Sequence, residues 1–393
     1  MILKNCRLIP ELSNNLNYNN CNILIKNNKI EKISKEDIIL DNEEIYDCEG
    51  KTLLPGLIDA HTHIAGLSHY NPRIALNSMQ LLIEAAKNTQ KYLEYGFTTI
   101  RDAGVVSRAN NYVREAIENN LFIGPRIISC GLILTPTEVE ISNSMFEFYV
   151  EADSPYEFKK ACRKEFAEHA DFIKIMASGS ALDKHGIPKE PIMTDEEIKA
   201  CVEIANLKSS YVAAHAHSNG SIKSCIKEGV RTIEHASFIE KDSLELLKNA
   251  PNTYLVPTLA AMYQDYESTI GTPYEFLIEK LQKMLDFSSK KIASAYNEGF
   301  KLGFGTDCAP GSHQYKKGIE FKYRSELCKM KNIDILLQAT KYNAEILGIS
   351  NITGEIKEGL AADLILVDGN PDEDISVMYN KPNSVWVNGI KAI

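Results

Sequence analysis

The stretch "LLPGLIDAHTHIAG", Leu53 to Gly66, leaves an apolar run through Pro-Gly and then sets polar residues on alternate positions. The apolar residues after the Pro-Gly pair predict a short buried strand. Alternate residues of a strand share a face, so Asp59, His61 and His63 are expected to point the same way. Two imidazoles at one strand end lie within reach of one ion, and neutral histidine is a common ligand for transition metals. An isolated HxH also arises from two unrelated histidines near a turn, so the rest of the chain has to decide.

Seven further strand-like segments follow along the chain, and longer amphipathic patterns separate them. With the first, they are "GLIDAHTH" from Gly56, "FTTIRDAG" from Phe97, "PRIISCG" from Pro125, "DFIKIMASG" from Asp171, "SYVAAHAH" from Ser210, "RTIEHAS" from Arg231, "TYLVPTL" from Thr253 and "KLGFGTDC" from Lys301. One helical pattern, "TDEEIKACVEIANLKSS", opens with Thr194 and carries Glu197 three residues later, which is a capping-box signature. Eight strand–helix units in succession predict an α/β fold, a (β/α)8 TIM barrel over residues 56–348.

The two ends of the chain have a different texture from the middle. Residues 1–55 contain "CNILIKNNKIEKIS" and "EEIYDCEGKTLLP", and residues 349–393 contain "GEIKEGLAADLILVDGNP" and "SVWVNGIKAI". Both ends alternate strand material with turns, and neither is long enough for a core of its own. We therefore expect residues 1–55 and 349–393 to fold together as a small β-sandwich beside the barrel.

The bulk composition excludes several classes of protein. The chain has 43 Lys and Arg against 53 Asp and Glu, a formal net charge of −10, which argues against a surface for nucleic acid or an anionic membrane. The nine cysteines stand singly without a CxxC pair, so neither a disulfide framework nor a thiolate zinc site is predicted. No stretch approaches the roughly 18 apolar residues of a membrane span. The sequence predicts a soluble, cytoplasmic protein.

Residue types that bind metals recur where the predicted strands end. They are His61 and His63 on the first strand, Lys174 within the fourth, His215 and His217 on the fifth, His235 on the sixth and Asp307 on the eighth. The carboxyl ends of the strands form the face on which barrel enzymes carry their catalytic groups. Core packing alone does not explain why these residue types gather at that one end.

Lys174 is the most informative of these residues because its neighbours in "FIKIMASG" are apolar. An ammonium group on a barrel strand loses hydration, and this loss favours the neutral amine. Two readings stay open at this point. Lys174 pairs with Asp307 or another carboxylate, or its neutral amine has taken up carbon dioxide to give an anionic carbamate with two oxygen atoms that bridges two metal ions.

The ordered set of HxH, Lys, His, His and Asp on strands one, four, five, six and eight resembles the amidohydrolase superfamily of metal-dependent hydrolases. The strings "PGLIDAHTH", "GFTTIRDAG", "GPRI", "FIKIMASG", "VAAHAH", "TIEHAS" and "GTD" resemble its imidazolonepropionase-related and prolidase-like branch, which also includes ochratoxin-type amidases. The similarity covers nearly the whole chain, including "GEIKEGLAADLILVD" near its end.

The resemblance implies two divalent metal ions and a carboxylated Lys174 that bridges them. Zinc is favoured, with manganese, cobalt or iron as alternatives. The residues that it implies as ligands are His61, His63 and Asp307 for the first metal, and His215 and His235 for the second. His215 is preferred over His217 because the branch shows a V-x-x-H pattern, and His217 is assigned to substrate contact. His69, His169, His185 and His313 fit no ligand position.

The same resemblance implies hydrolysis of an amide bond, peptide-like or of an N-acyl amino acid, as in an Xaa-Pro dipeptidase. A metal-bridged hydroxide would attack the carbonyl, with Asp307 as general base and then general acid. Single-metal deaminases of the superfamily carry a Glu three residues after the fifth-strand histidine, where this chain has Ser218. Lactone or ester hydrolysis, and cyclic-amide hydrolysis of the imidazolonepropionase type, stay open as alternatives, as does a catalytically silent scaffold.

The expected partner is a small-molecule amide or peptide substrate, with neither nucleic acid nor membrane. Relatives commonly form homo-oligomers, so self-association is expected too. Arg231, Arg324, Tyr211 and Tyr263 are available for a substrate carboxylate, although a structural role suits each of them better.

Overall fold

A computed structural model describes residues 1–40, 43–65, 78–137, 148–179, 188, 190–262, 270–271, 275–308 and 318–393. Its strands, in chain order, are β1 Ile2–Cys6, β2 Cys21–Lys26, β3 Lys29–Ser34, β4 Ile45–Asp47, β5 Thr52–Pro55, β6 Leu57–Thr62, β7 Phe97–Asp102, β8 Arg126–Ser129, β9 Ile133–Thr135, β10 Tyr149–Glu151, β11 Ile173–Met176, β12 Val212–Ala216, β13 Thr232–His235, β14 Tyr254–Val256, β15 Leu364–Val367, β16 Ser384–Val387 and β17 Ile390–Lys391. The strands between β6 and β14 pair in parallel, which gives the α/β class that the sequence predicts.

Helices alternate with these parallel strands. In the described residues the α-helices are α1 Ser78–Glu94, α2 Ala109–Glu118, α3 Pro155–Ala167, α4 Asp195–Leu207, α5 Asn219–Lys227, α6 Lys241–Leu247, α7 Ile278–Asn297, α8 Ile319–Glu326, α9 Asn332–Leu337 and α10 Asn343–Ile346. The predicted capping box at the start of α4 is confirmed. The Glu197 amide donates to Thr194 Oγ1 at 3.3 Å, and the Thr194 amide donates to Glu197 Oε2 at 2.9 Å.

Seven of the eight predicted strand segments contain a strand, and the third is longer than expected. After β8 the chain passes through residues 130–132 and becomes strand again as β9. β8 pairs with β7, whereas β9 pairs with β11, where Ile133 lies opposite Lys174. The parallel strands therefore fall into two groups, β6-β7-β8 and β10-β9-β11-β12-β13-β14. The Asp171 amide, two residues before β11, donates to Ser129 O of β8 at 2.7 Å and so links the two groups.

The predicted eighth strand is an extended segment with isolated pairing rather than a regular strand. Leu302 bridges to Leu255 of β14, and Cys308 bridges to Thr62 of β6, both in parallel orientation. The Ala60 amide also donates to Phe304 O at 2.9 Å. Residues 302–308 therefore lie between the last strand of one group and the first strand of the other.

Gly56 shows why the Pro-Gly pair stands at the start of β6. A Cβ atom at this position would lie 2.0 Å from Thr98 Oγ1, so the close approach of β6 to β7 leaves no room for a side chain.

The chain ends form two further sheets, with strand orders β3-β2-β1-β4 and β17-β16-β15-β5. The second sheet joins the two ends of the chain, because β5 pairs antiparallel with β15. Residues of both sheets share one buried hydrophobic cluster, which includes Leu3 and Ile23 from the first sheet and Leu53, Leu364 and Trp386 from the second. None of the described helices has the length and apolar character that a membrane span requires.

Burial alternates along the strands that carry the candidate site. On β12, Val212, Ala214 and Ala216 belong to the large hydrophobic cluster that also contains core residues of the helices. Ala213 and His215 therefore face the other side of the strand, since alternate residues share a face. This alternation directs His215, the polar residue of β12, away from the helices.

Candidate metal centre

The predicted ligand residues gather in two clusters of metal-binding atoms. His61, His63 and Asp307 form the first cluster, and His215, His217 and His235 form the second. Within each cluster, one ligand atom of each residue lies within 4.8 Å of those of the other two. The structure thus brings together, from four separate segments of the chain, six of the seven residues that the sequence singles out.

The first cluster is held by the end of β6 and the extended segment 302–308. Asp307 Oδ1 lies 3.4 Å from His61 Nε2 and 3.2 Å from His63 Nε2. The Asp307 amide donates to His61 O at 2.7 Å, and its φ of 54° is left-handed. Asp59, on the same strand face as both histidines, accepts hydrogen bonds from the amide and the hydroxyl of Thr306. Asp59 thereby fixes the segment that carries Asp307 against β6.

The second cluster consists of three imidazole rings at the ends of β12 and β13. The ring centroid of His215 lies 4.5 Å from that of His217 and 4.6 Å from that of His235, and both pairs are edge-on. The rings of His217 and His235 are nearly parallel, 17° apart, with centroids separated by 4.8 Å. His235 and the following Ala236 both have left-handed φ values, 69° and 50°. Such conformations are uncommon outside glycine and concentrate at functional sites.

Asp307 lies between the two clusters. While its Oδ1 atom faces the first cluster, its Oδ2 atom lies 4.0 Å from His235 Nδ1. The rings of His61 and His235 are also close, with centroids 5.0 Å apart. The two clusters are therefore neighbouring parts of one polar centre, and the Asp307 carboxylate is positioned to interact with groups in both.

Each of the five histidines uses one ring nitrogen to contact the surrounding protein. The contacts are His61 Nδ1 to Glu234 Oε2 at 2.7 Å, His63 Nδ1 to Gly104 O at 2.6 Å, His215 Nε2 to Gly179 O at 3.2 Å, His217 Nδ1 to Ser237 Oγ at 2.8 Å and His235 Nδ1 to Thr258 Oγ1 at 2.7 Å. Where the partner is a carbonyl or carboxylate oxygen, the ring nitrogen donates. In the neutral ring the other nitrogen then carries the lone pair that a metal needs.

Electrostatics keep most of these rings neutral. Burial lowers the pKa of His61 to about 4 and that of His217 to about 3. The pKa values of His215 and His235 fall well below the ordinary value because of burial and the neighbouring histidines. At His63 burial acts in the same direction, but the contact with Asp307 outweighs it and raises the pKa. A neutral imidazole is the form that binds a metal.

Lys174 occupies the second position of β11, so its side chain starts deeper in the sheet than the other site residues, which lie at or beyond strand ends. It is 2% exposed, and within the described part of the chain its ammonium group has no ion pair or hydrogen bond. The predicted alternative of an ion pair with Asp307 is therefore not found there. Burial lowers the pKa of Lys174, against the opposing influence of Glu234 and Asp307. Its charge in turn shifts the pKa values of all five histidines and of Asp307.

Two charged residues beside the candidate metal centre, Glu234 and Arg101, were not predicted from the sequence. Glu234 of β13 is fully buried and contacts His61, while its other oxygen accepts a hydrogen bond from the Arg101 guanidinium at 2.7 Å. A signal was available in both cases, because Arg101 in "TTIRDAG" and Glu234 in "TIEHAS" are charged residues within apolar strands, like Lys174.

The residues considered for a substrate carboxylate are structural wherever they are described. Arg231 precedes β13 and donates to two backbone carbonyls of α10, Ile346 O and Glu345 O. Tyr211 is partly buried and stacks on Phe172. Arg324 is buried and bonded to Glu320, Gln338 and Pro257 O. Tyr263, His69, His185 and His313 lie outside the described residues.

A parallel α/β sheet whose strand ends gather an HxH pair, a buried lysine, further histidines and an aspartate defines the class of amidohydrolase-type proteins. A comparison with protein-family models agrees with this assignment, since the model of the amidohydrolase family matches residues 52–391. The chain belongs to the amidohydrolase family, whose members are hydrolases that generally use divalent metals.

Several known proteins of related sequence or structure are similar to this chain. Ochratoxinase of Aspergillus niger is 27% identical over 370 residues, covering 86% of this chain and 75% of the relative. Among solved structures, an Xaa-Pro dipeptidase with bound methionine in its active site is 30% identical, with a TM-score of 0.88 over 99% of this chain and 98% of the other. A prolidase complexed with N-methylphosphonate-L-proline is 27% identical, with a TM-score of 0.87 over the same shares of both chains.

Proposed function

We propose that the protein is a binuclear metal-dependent hydrolase that cleaves an amide bond next to a small acyl or amino-acid group. One observation carries the proposal. A buried lysine without an ionic partner among the described residues is electrostatically coupled to two adjacent clusters of metal-binding side chains. Such an amine is explained if it is converted to an anion that two cations share.

We further infer that the parallel strands close into a (β/α)8 barrel, with β8 and β9 as one interrupted strand and residues 302–308 as the eighth. The bridges of Leu302 to β14 and of Cys308 to β6 support closure. The hydrophobic cluster shared by the two terminal sheets supports a β-sandwich made from both chain ends. In such a barrel all the site residues lie at the carboxyl ends of the strands, where the side chain of Lys174 also reaches.

The donor set fits two divalent cations. His61, His63 and Asp307 would hold the first, His215 and His235 the second, and carboxylated Lys174 would bridge them. Nitrogen and oxygen donors without thiolates suit zinc, and also manganese, cobalt or iron. The chemistry that such cations supply when bound is the activation of water near neutral pH and the polarisation of a carbonyl oxygen.

Carboxylation of Lys174 needs a neutral amine and carbon dioxide. The Nζ lone pair forms a bond to the carbon of carbon dioxide while the π electrons of one C=O bond move to its oxygen, and the proton released from the nitrogen passes to water, which gives a carbamate. The lowered pKa of Lys174 favours this step because burial destabilises the ammonium form. The positive centre formed by two cations would then stabilise the carbamate anion in place of a protein counterion.

Asp307 is the residue positioned to move the proton during hydrolysis. Both of its oxygens face the polar centre, and the side chain is 22% exposed, so that it can reach a substrate. Burial acts to raise the pKa of Asp307, but His61, His63 and Lys174 outweigh burial and hold it well below the ordinary value. The carboxylate is thus available to accept a proton from the attacking water and to deliver it to the leaving nitrogen.

His217 is assigned to the substrate rather than to a metal. Because lone pairs lie in the ring plane, the nearly parallel rings of His217 and His235 direct theirs along separate lines, while His215 is edge-on to both. This geometry suits an ion held by His215 and one of the two parallel rings, and the resemblance to the family selects His235 as that ring. The position of His217 beside this pair suits a contact with the carbonyl or carboxylate of a substrate.

Replacing His217 separates the two roles. We expect His217→Ala to keep both metals and to raise KM by about 10- to 100-fold, the loss of one hydrogen bond to a charged group. His215→Ala, the matched variant two residues away, should lose metal. Metal content by elemental analysis, together with steady-state kinetics, checks both expectations. A His217→Ala protein that loses one metal per chain would make His217 a ligand.

The names of the relatives point to the substrate class. Ochratoxinase, the Xaa-Pro dipeptidase and the prolidase support a peptide-like or N-acyl amino acid amide for this chain. The test is a panel of Xaa-Pro dipeptides, other dipeptides, N-acyl amino acids and lactones, supplied to the metal-loaded protein. We expect turnover of at least one amide series to exceed that of every lactone. Lactone hydrolysis alone would favour the esterase alternative, and no turnover of any carbonyl substrate by protein with two bound metals would contradict the proposal.

A further inference from the structure

Arg101 is a fully buried cation in the middle of the parallel sheet. Its guanidinium donates to Ala60 O at 2.6 Å, to Thr232 Oγ1 at 2.8 Å and to Glu234 Oε1 at 2.7 Å. Because arginine cannot release its proton in a protein, a buried guanidinium requires an anion nearby. Glu234 is that anion, and Thr232 also donates to Glu234 Oε1 at 2.6 Å.

Glu234 connects this buried cation to the candidate metal centre. While Oε1 is bound by Arg101 and Thr232, Oε2 lies 2.7 Å from His61 Nδ1. A carboxylate can only accept here, so His61 must carry its hydrogen on Nδ1. The lone pair is then on Nε2, the atom that faces Asp307 Oδ1. Among the five histidines His61 is distinctive, because its described ring partner is a carboxylate held in place by a second charged side chain.

We propose that Arg101 and Glu234 are positioning residues that fix the tautomer and the orientation of His61, and thereby set the affinity of the first metal site. This inference rests on the proposed function for its metal but not for its hydrogen-bond geometry. Arg101 acts through Glu234, and neither residue touches the substrate. Arg101 holds the Glu234 carboxylate in place, and Glu234 keeps the His61 ring from rotating and its hydrogen on Nδ1.

Glu234→Gln gives a sharp test because an amide has one acceptor and one donor end. The acceptor end is expected to face the Arg101 cation, which leaves the NH2 group opposite His61 Nδ1. That ring nitrogen must then accept, so the hydrogen moves to Nε2 and blocks the ligand atom. We expect the affinity for Zn2+ at one of two sites to fall by about 10- to 100-fold, the usual effect of losing the outer partner of a ligating histidine.

Glu320→Gln is the matched control. Glu320 is also buried and also bonded to a buried arginine, with Arg324 Nε 2.7 Å from Oε1, but its second oxygen accepts from the Ala260 amide instead of a histidine. If the Arg101–Glu234 pair serves only the stability of the fold, both variants should lose stability and neither should lose Zn2+ affinity. The proposal requires the two variants to differ in Zn2+ affinity, measured by competition with a chromogenic chelator.

The tautomer itself is read without metal, by nitrogen NMR of protein labelled at histidine. We expect metal-free wild-type protein to have the His61 hydrogen on Nδ1 and Glu234→Gln to have it on Nε2. An unchanged tautomer, or wild-type Zn2+ affinity in Glu234→Gln, would overturn the proposal. If this variant does not fold, Thr232→Val provides the second test, because it keeps the charges of Arg101 and Glu234 but removes one hydrogen bond to Glu234 Oε1. A measurable loss of Zn2+ affinity supports the proposal, and unchanged affinity contradicts it.

The outcomes also distinguish this inference from the proposed hydrolase. A wild-type protein that binds Zn2+ and shows the Nδ1 tautomer but hydrolyses no amide would contradict the hydrolase and leave the positioning pair intact. A protein with full amidase activity and an Nε2 tautomer at His61 would support the hydrolase and contradict the positioning pair.

Discussion

Lys174→Ala should lose hydrolytic activity and the second metal ion while the chain stays folded. Without the lysine no carbamate can form, so the two cations lose their shared anion and repel each other. The loss removes several kcal/mol of transition-state stabilisation, or about 10³-fold or more in kcat/KM. Elemental analysis of protein prepared with Zn2+ and bicarbonate, together with kinetics on the best amide of the panel, measures both effects.

The matched variant for Lys174 is Lys174→Met, which keeps most of the side-chain volume without the amine. Because burial lowers the pKa of Lys174, its surroundings penalise the ammonium form, and a thioether avoids that penalty. We expect the metal-free Lys174→Met protein to melt at or above the wild-type temperature, yet to be as inactive as Lys174→Ala. Added acetate should restore some activity to Lys174→Ala, where it has space, and none to Lys174→Met. Two tightly bound metals and wild-type turnover in either variant would contradict the bridged centre.

The parallel sheet and the identity of the clustered residues could be predicted because they depend on local patterns. A strand of alternating residues, such as β12, sends Ala213 and His215 to one face regardless of what lies around it. Similarly, the capping box of Thr194 and Glu197 depends on residues three apart, and it forms as the sequence predicts. Short-range periodicity thus placed His61, His63, His215 and His235 at or just beyond strand ends.

What could not be predicted depends on contacts between distant segments. Glu234 and His61 are 173 residues apart, and no spacing rule relates them. The chain is interrupted between β8 and β9, where Gly131 has a left-handed φ of 72°. β8 pairs with β7 whereas β9 pairs with β11, and this change of neighbour has no clear periodic signal in the sequence. Residues 302–308 are held by isolated bridges and by the bonds of Thr306 to Asp59, so their pairing also depends on the folded surroundings.

The backbone at Asp307 affects how its chemistry can be tested. Its left-handed φ of 54° is costly for most side chains, but aspartate and asparagine tolerate this region. Asn is therefore the substitution that changes the acid–base chemistry without adding backbone strain. Its amide oxygen also replaces the carboxylate oxygen that faces His61 and His63, so the first metal site keeps an oxygen donor.

Asp307→Asn is expected to retain most of its metal and to lose about 10²- to 10⁴-fold in kcat, the usual contribution of a positioned acid and base. An amide cannot accept the proton of the attacking water near neutral pH, nor can it pass that proton to the leaving nitrogen. The expected signature is a large fall in kcat with a small change in KM, together with near-normal metal content. Stopped-flow or steady-state kinetics, together with elemental analysis of the same preparation, measure these quantities.

Asp102→Asn provides the comparison that makes the Asp307 result interpretable. Asp102 is also a buried carboxylate near His63, but its oxygens accept from the Ile64 and Gly104 amides and from Asn110, and none contacts the metal-binding atoms. We expect Asp102→Asn to destabilise the fold by about 1–3 kcal/mol, since an amide donor would face donors already in place. Its kcat should change much less than that of Asp307→Asn. A loss of less than tenfold in Asp307→Asn, with both metals bound, would instead assign the proton transfer to another group.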